Sequence, residues 1–384
     1  MKLDIFTNLV HGDLSFDEST GAISYPIYQS ATFKHIGLNQ STGFDYSRES
    51  NPTRQKLEST LAILEGGKAA FAYSTGMAAI ANLFNVFSSN DHIIVSNDLY
   101  GGTYRIFEEL LCKQYGLQFT YVDTSNLNDI YNAYKENTKA VFIETPTNPM
   151  MKISDIKEIS KFTKEKNILL IVDNTFLTPY FQRPLDLGAD VVVHSGTKFL
   201  GGHNDVLAGA IILKENDELA ERIKLIQKTV GAVLAPFDSW LLLRGIKTLG
   251  IRMEKQQENA FKIVEWLKQN KNVEEVFYPG IPDHVGHDIC KSQSSGFGSM
   301  LSFSVKDVSL VKTILEGVKI ISFAESLGGV ESLITYPMVQ THSAIPKDIL
   351  DAIGVNDKLL RLSVGIECAE DLIKDLERAM RLTI

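Results

Sequence analysis

Short apolar runs recur through the first two thirds of the chain, at 92–96, 118–123, 140–144, 168–173, 191–194 and 207–213, each bounded by polar residues. They predict strands. Between several of them lie amphipathic segments: 104–112 gathers Phe107, Leu110 and Leu111 on one face, and 154–166 follows the same period. A further helix is predicted over 54–64, where Leu57, Leu61 and Leu64 share a face before Gly66 and Gly67. Strands that are apolar throughout, alternating with helices, predict a mostly parallel central sheet flanked by helices, an α/β fold. In such sheets ligands sit at the carboxyl ends of the strands. From 238 to 270 the pattern reads as one long helix with Ala260, Ile263, Val264 and Leu267 on one stripe. Strand patterns at 300–305 and 359–364 then alternate with helical ones at 310–315 and 369–380, which predicts a smaller C-terminal α+β domain. Residues 1–55 are irregular and rich in Ser, Thr, Gly and Tyr. The expected division is an arm over 1–55 that packs on the body or a neighbouring subunit, a large domain over 56–249 and a small one over 250–384.

Composition narrows the function. Thirty-eight Lys and Arg against 47 Asp and Glu give a net charge of −9, which argues against nucleic acid or an anionic membrane as main partner. Three cysteines, Cys112, Cys290 and Cys368, are odd in number and far apart, so neither a disulfide framework nor a zinc site is expected. The N-terminal stretch has acidic residues and no apolar run of signal length, and nothing in the chain is long enough to span a bilayer, so a cytoplasmic location is expected. His284 and His287 lie near Asp283, Asp288 and Cys290, but the segment reads as a surface loop rather than a metal site.

The candidate chemistry sits at predicted strand ends. The stretch VVVHSGTKFLGG runs from a buried strand into Ser195, Thr197 and Lys198. A lysine there is either a solvated surface residue or partly desolvated, and desolvation would lower its pKa and suit it to Schiff-base chemistry. The preceding strand ends in Asp173, a carboxylate that needs a partner, either nearby backbone or a pyridinium N–H. YSTGMAA opens a helix, with the N–H groups of Gly76 and Met77 facing outward as in an anion site. Tyr100, in DLYGG, follows the strand at 92–96 and is placed to stack on a planar ring. An amine, a carboxylate for a ring nitrogen, a phosphate cradle and a stacking aromatic together describe a site for pyridoxal 5′-phosphate (PLP).

With these residues in view, the sequence resembles the Cys/Met-metabolism (transsulfuration) branch of fold-type I PLP enzymes. The matching segments are YSRESNPTR (46–54), STGMAA (74–79), DLYGGTYR (98–105), ETPTNP (144–149), VDNTF (172–176), HSGTKFLGGH (194–203), FAESLGGVESL (323–333) and RLSVGIE (361–367), and they run through most of the chain. The resemblance implies that Lys198 holds the cofactor covalently, Asp173 keeps its ring nitrogen protonated and Tyr100 stacks on the ring and assists proton transfer. It implies that Gly76, Met77, Ser195 and Thr197 bind the phosphate, with Tyr46 and Arg48 reaching the phosphate of a neighbouring subunit in a homotetramer built from dimers. Arg361 would take the α-carboxylate of a small amino-acid substrate, helped by Asn148 and Ser326. Glu325 would pair with the distal ammonium of cystathionine or cysteine.

The implied reaction is γ-replacement: cystathionine made from an O-acylhomoserine and cysteine, with sulfide as a further thiol. The neighbouring alternative is γ- or β-elimination of cystathionine to a 2-oxo acid and ammonia. Methionine cleavage fits less well, because glycines follow Tyr100 where the methionine γ-lyases carry a cysteine shortly after the equivalent tyrosine. An aminotransferase on the same fold is the rival from another class.

Overall fold

The computed structural model describes residues 3–215, 217–341 and 346–381. Its larger sheet has seven strands: β1 (Ala69–Tyr73), β2 (His92–Ser96), β3 (Gln118–Val122), β4 (Thr138–Glu144), β5 (Leu169–Asp173), β6 (Val191–Ser195) and β7 (Gly209–Leu213). Their spatial order is β1-β7-β6-β5-β4-β2-β3. Strands β6, β5, β4, β2 and β3 run parallel, and β7 is antiparallel to both of its neighbours. The apolar runs at 92–96 and 118–123 thus lie where the pattern placed them. β1 escaped that reading because its alanines give little apolar contrast.

Both faces of this sheet are buried, and they alternate residue by residue. Val141, Ile143, Leu170, Val172 and Val192 join one core cluster with Leu57, Leu61 and Leu64. Ala140, Phe142, Ile171, Val191 and Val193 join another with Ile80, Leu83 and Phe84. The first face is covered by a helix at Pro52–Glu65, the second by one at Gly76–Phe84. With a shorter helix nearer the N-terminus at Ile5–His11, these are α1 (Ile5–His11), α2 (Pro52–Glu65) and α3 (Gly76–Phe84). α1 corrects the expectation of an irregular arm: Asp4 caps it, and Leu9 is buried in the first cluster. Only about two turns long, it offers too few apolar repeats to stand out in the sequence.

The smaller sheet holds β8 (Val273–Phe277), β9 (Met300–Val305), β10 (Ser322–Phe323), β11 (Leu333–Thr335) and β12 (Leu359–Ser363), in the order β10-β11-β12-β9-β8. The helix Ala369–Arg381 covers it, with Leu372, Leu376 and Met380 in the same cluster as Phe303 and Leu360. The predicted long helix over 238–270 is two helices, Pro236–Ile246 and Leu249–Gln269. The break has a local cause. The carbonyl of Gly245 accepts from the Thr248 hydroxyl at 3.2 Å and from Arg252 Nη2 at 2.9 Å. Among the described residues no helix is long and apolar enough to cross a membrane.

Candidate active site

Parallel pairing sets carboxylates side by side. Glu144, the last residue of β4, is the register partner of Asp173, the last residue of β5, and Asp173 in turn lies beside Val193 of β6. A cavity of about 200 Å³ opens over these strand ends, lined by Glu144, Asp173, Val193 and Ser195 together with Gly76, Met77, Tyr100, Asn148, Thr197 and Lys198. Burial raises the pKa of Asp173, against bonds from Thr175 and the field of His194. Burial raises that of Glu144 further, with the charge of Asp173 adding to it. Two such groups so close disfavour both being charged, and the push toward the neutral form is the greater on Glu144. Glu144 was missed in the sequence, although it ends an apolar strand just as Asp173 does. Its Oε2 accepts the N–H of Tyr100 at 3.1 Å.

Lys198 stands in the turn after β6. Its Nζ donates to Ser326 Oγ at 2.8 Å. Burial lowers its pKa to about 8, with the Arg361 charge acting in the same direction and Glu325 against it. Tyr100 directly precedes the helix α4 (Gly101–Arg105) and is 44% exposed, so its ring edges the cavity mouth. The ring folds down over Gly102, where a Cβ would overlap it and approach Met77 Sδ at 3.1 Å. Gly102 is therefore a packing need.

Arg361, on β12, is 1% exposed. Its Nη1 donates to Asn148 Oδ1 at 2.8 Å, and its Nη2 donates to the Ser326 carbonyl at 3.0 Å and to Thr335 Oγ1 at 3.1 Å. Nε has no partner. Arg361 does not itself line the cavity; Asn148 does, and Ser326 bonds both Arg361 and Lys198. Glu325 is exposed beside that loop. Thr335 gave no sequence signal, since only the pairing of β11 with β12 brings it opposite Arg361.

Tyr46 and Arg48 are not among the residues lining this cavity. Arg48 lies 5.6 Å over the Tyr46 ring, and its Nη1 donates to the Lys228 carbonyl. Thr197 lines the cavity, but its hydroxyl already bridges the backbone of Ala208, accepting its N–H at 3.1 Å. A larger groove of about 520 Å³ runs along Asp123, Lys152, Glu275 and His284. Along it Lys152 pairs with Asp123 at 2.7 Å and Lys268 with Asp283 at 3.6 Å. His284 Nε2 pairs with the Met151 carbonyl, and His287 Nδ1 with that of Pro279.

The smaller cavity fits PLP. Both bonds from Thr175 fall on Asp173 Oδ1, which leaves Oδ2 for a protonated ring nitrogen. Thr75 caps α3 through Ala78 N–H, so the N–H groups of Gly76 and Met77 in the first helical turn have no intrahelical acceptor and are available to a phosphate. A Cβ at Gly76 would come within 3.0 Å of Ser195 Cβ and narrow that cradle. Lys198 supplies an amine that burial has brought toward its neutral, nucleophilic form.

Fold and cavity together define a PLP-dependent enzyme of the α/β class with a second, smaller sheet. The chain belongs to the Cys/Met-metabolism PLP-dependent enzymes, whose family model matches residues 6–381. The cystathionine β-lyase of Lactococcus lactis subsp. cremoris is 51% identical over 376 residues, covering 98% of each chain. A Bacillus subtilis protein named cystathionine γ-synthase/O-acetylhomoserine (thiol)-lyase is 51% identical over 380 residues, 99% of this chain and 97% of that one. The crystal structure of cystathionine γ-lyase from Lactobacillus plantarum complexed with L-serine superposes with a TM-score of 0.96 at 46% identity, over 98% of both chains.

Proposed function

We propose that the enzyme forms cystathionine by γ-replacement, from an O-acylhomoserine and cysteine, with sulfide as an alternative thiol. One observation carries the amino-acid part: a buried guanidinium with a spare Nε–H, joined through Ser326 to the lysine amine. Arg361 would take the α-carboxylate and hold the α-carbon near Lys198. PLP, when bound, withdraws electrons from that carbon. Lys198 Nζ would take the α-proton. Asp173 would hold a proton on the ring nitrogen of PLP, and Glu144 beside it is pushed toward its neutral form by burial and by the charge of Asp173. Tyr100, half open at the mouth, is placed to pass a proton to the departing γ-group. Glu325, exposed beside the substrate loop, would receive the distal ammonium of cysteine or cystathionine. Tyr46 and Arg48 are proposed to serve a neighbouring copy's phosphate within a tetramer.

The second reading is elimination from cystathionine, favoured by the equal identity to a protein named cystathionine β-lyase. One steady-state panel separates the two. With O-acetyl- or O-succinylhomoserine plus cysteine, γ-replacement yields cystathionine. With cystathionine alone, γ-elimination releases 2-oxobutyrate and β-elimination releases pyruvate. Keto acid appearing from cystathionine faster than cystathionine is made would assign the enzyme to the lyases.

A further inference from the structure

The alternation of side chains across the strand ends has a second side. Glu144, Asp173 and Ser195 line the cavity; Asn174 and His194, next to Asp173 and Ser195, lie on the opposite face, under α2. There they meet Glu65, the last residue of α2. Glu65 Oε1 pairs with His194 Nε2 at 2.6 Å and accepts from Asn174 Nδ2 at 2.9 Å. Asn174 also bonds Gln182, whose Nε2 donates to Asn174 Oδ1 at 3.0 Å and to the Thr145 carbonyl at 3.3 Å. Glu65 and Asn174 are 0% exposed, and His194 and Gln182 1%. One hydrogen-bonded network thus ties together the carboxyl ends of β4, β5 and β6 from beneath.

A carboxyl group buried this deeply needs hydrogen-bonded partners, and the shortest bond to Glu65 is with His194. It follows Val193, the register partner of Asp173, so its ring lies just across the sheet from the Asp173 carboxylate. We propose that Glu65 is a positioning residue for the cofactor: by fixing the His194 ring through Nε2, it sets the imidazole behind Asp173, whose carboxylate would face the ring nitrogen of PLP. The field of His194 opposes the upward push of burial on Asp173, as such a role requires. The assignment rests on PLP and on the pairing role of Asp173, and not on which thioether reaction the site runs.

The test is a double-mutant cycle on the full chain, stripped of PLP and titrated with it, read by fluorescence quenching and by the absorbance of the bound cofactor. Glu65→Gln is expected to weaken PLP binding by about tenfold, within the range for neighbours in one network. It should also shift the absorbance band in the same direction as Asp173→Asn. In the Asp173→Asn background the Glu65 effect should shrink below about twofold. An equal loss in both backgrounds would make Glu65 a structural residue and overturn the proposal while leaving Asp173 its role. Wild-type PLP affinity in Asp173→Asn alone would overturn both. Where Glu65→Gln does not fold, the same cycle with His194→Gln decides with the same outcomes.

Discussion

Lys198 is the residue on which everything else converges, and two neighbours tune it in opposite senses. Burial brings its amine from an ordinary 10.5 to about 8; Arg361 pushes it down and Glu325 pushes it up. A lowered value means that the neutral amine is gained as pH rises through about 8. The rate at which cofactor-free protein condenses with PLP should climb through that same pH. Arg361→Met removes a cation and should move the midpoint up; Glu325→Gln removes an anion and should move it down. Stopped-flow absorbance over a pH series reads all three. Midpoints near 10.5, or shifts of the same sign in both variants, would remove this account of the lysine. Lys198 and Asp173 were legible in the sequence because each sits where an apolar run stops. Glu65 and His194 were not: they are 129 positions apart, and their meeting depends on how α2 crosses the sheet.

The loop carrying Lys198 is held from outside by the helix Leu249–Gln269. Its Arg252, 3% exposed, donates to the carbonyls of Phe199 at 2.7 Å, Leu200 at 3.4 Å and Gly245 at 2.9 Å. Burial alone lowers this guanidinium to about 10. Gly202, with φ of +71°, presses so close that any Cβ would collide with the guanidinium. Arg252→Met strands the Phe199 and Leu200 carbonyls, Gly245 keeping its bonds from Thr248, and should cost about 3 kcal/mol, given about 1–3 kcal/mol for each buried group left unpaired. The expected readout is a lower Tm together with faster PLP release. An unchanged Tm and release rate would show that the loop stands without this clamp. The same clamp explains why the pattern over 238–270 read as one helix: the apolar stripe continues, while the break is dictated by carbonyl bonds that hydropathy does not record. The runs at 300–305 and 92–96 were legible because both strands are buried along their whole length and each carries at least three apolar residues. β8 was not, since Glu274 and Glu275 in it are exposed and blur the pattern.

At the scale of the molecule, the arm bears on how many copies make one site. Ile23, Ile36 and Leu38 are 96%, 74% and 92% exposed in the single chain, and Tyr46 and Arg48 lie off its cavity. If the arm of one copy completes the site of another, two inactive variants should rescue each other. Lys198→Ala and Arg48→Ala, mixed and reassociated in equal amounts, should recover about a quarter of wild-type turnover, because half of random dimers are hybrids and each hybrid keeps one intact site. No recovery in verified hybrids would confine the site to one chain.

The two-sided use of the strand ends also limits how such a scaffold can change. A slip of one residue in β6 would turn the imidazole into the cavity and bury the serine hydroxyl, dismantling the cofactor seat and its support together. Drift toward new substrates has little freedom along these strands. It is steered to the mouth, to positions such as Glu325 and Tyr100, where a side chain can be exchanged without inverting its neighbour.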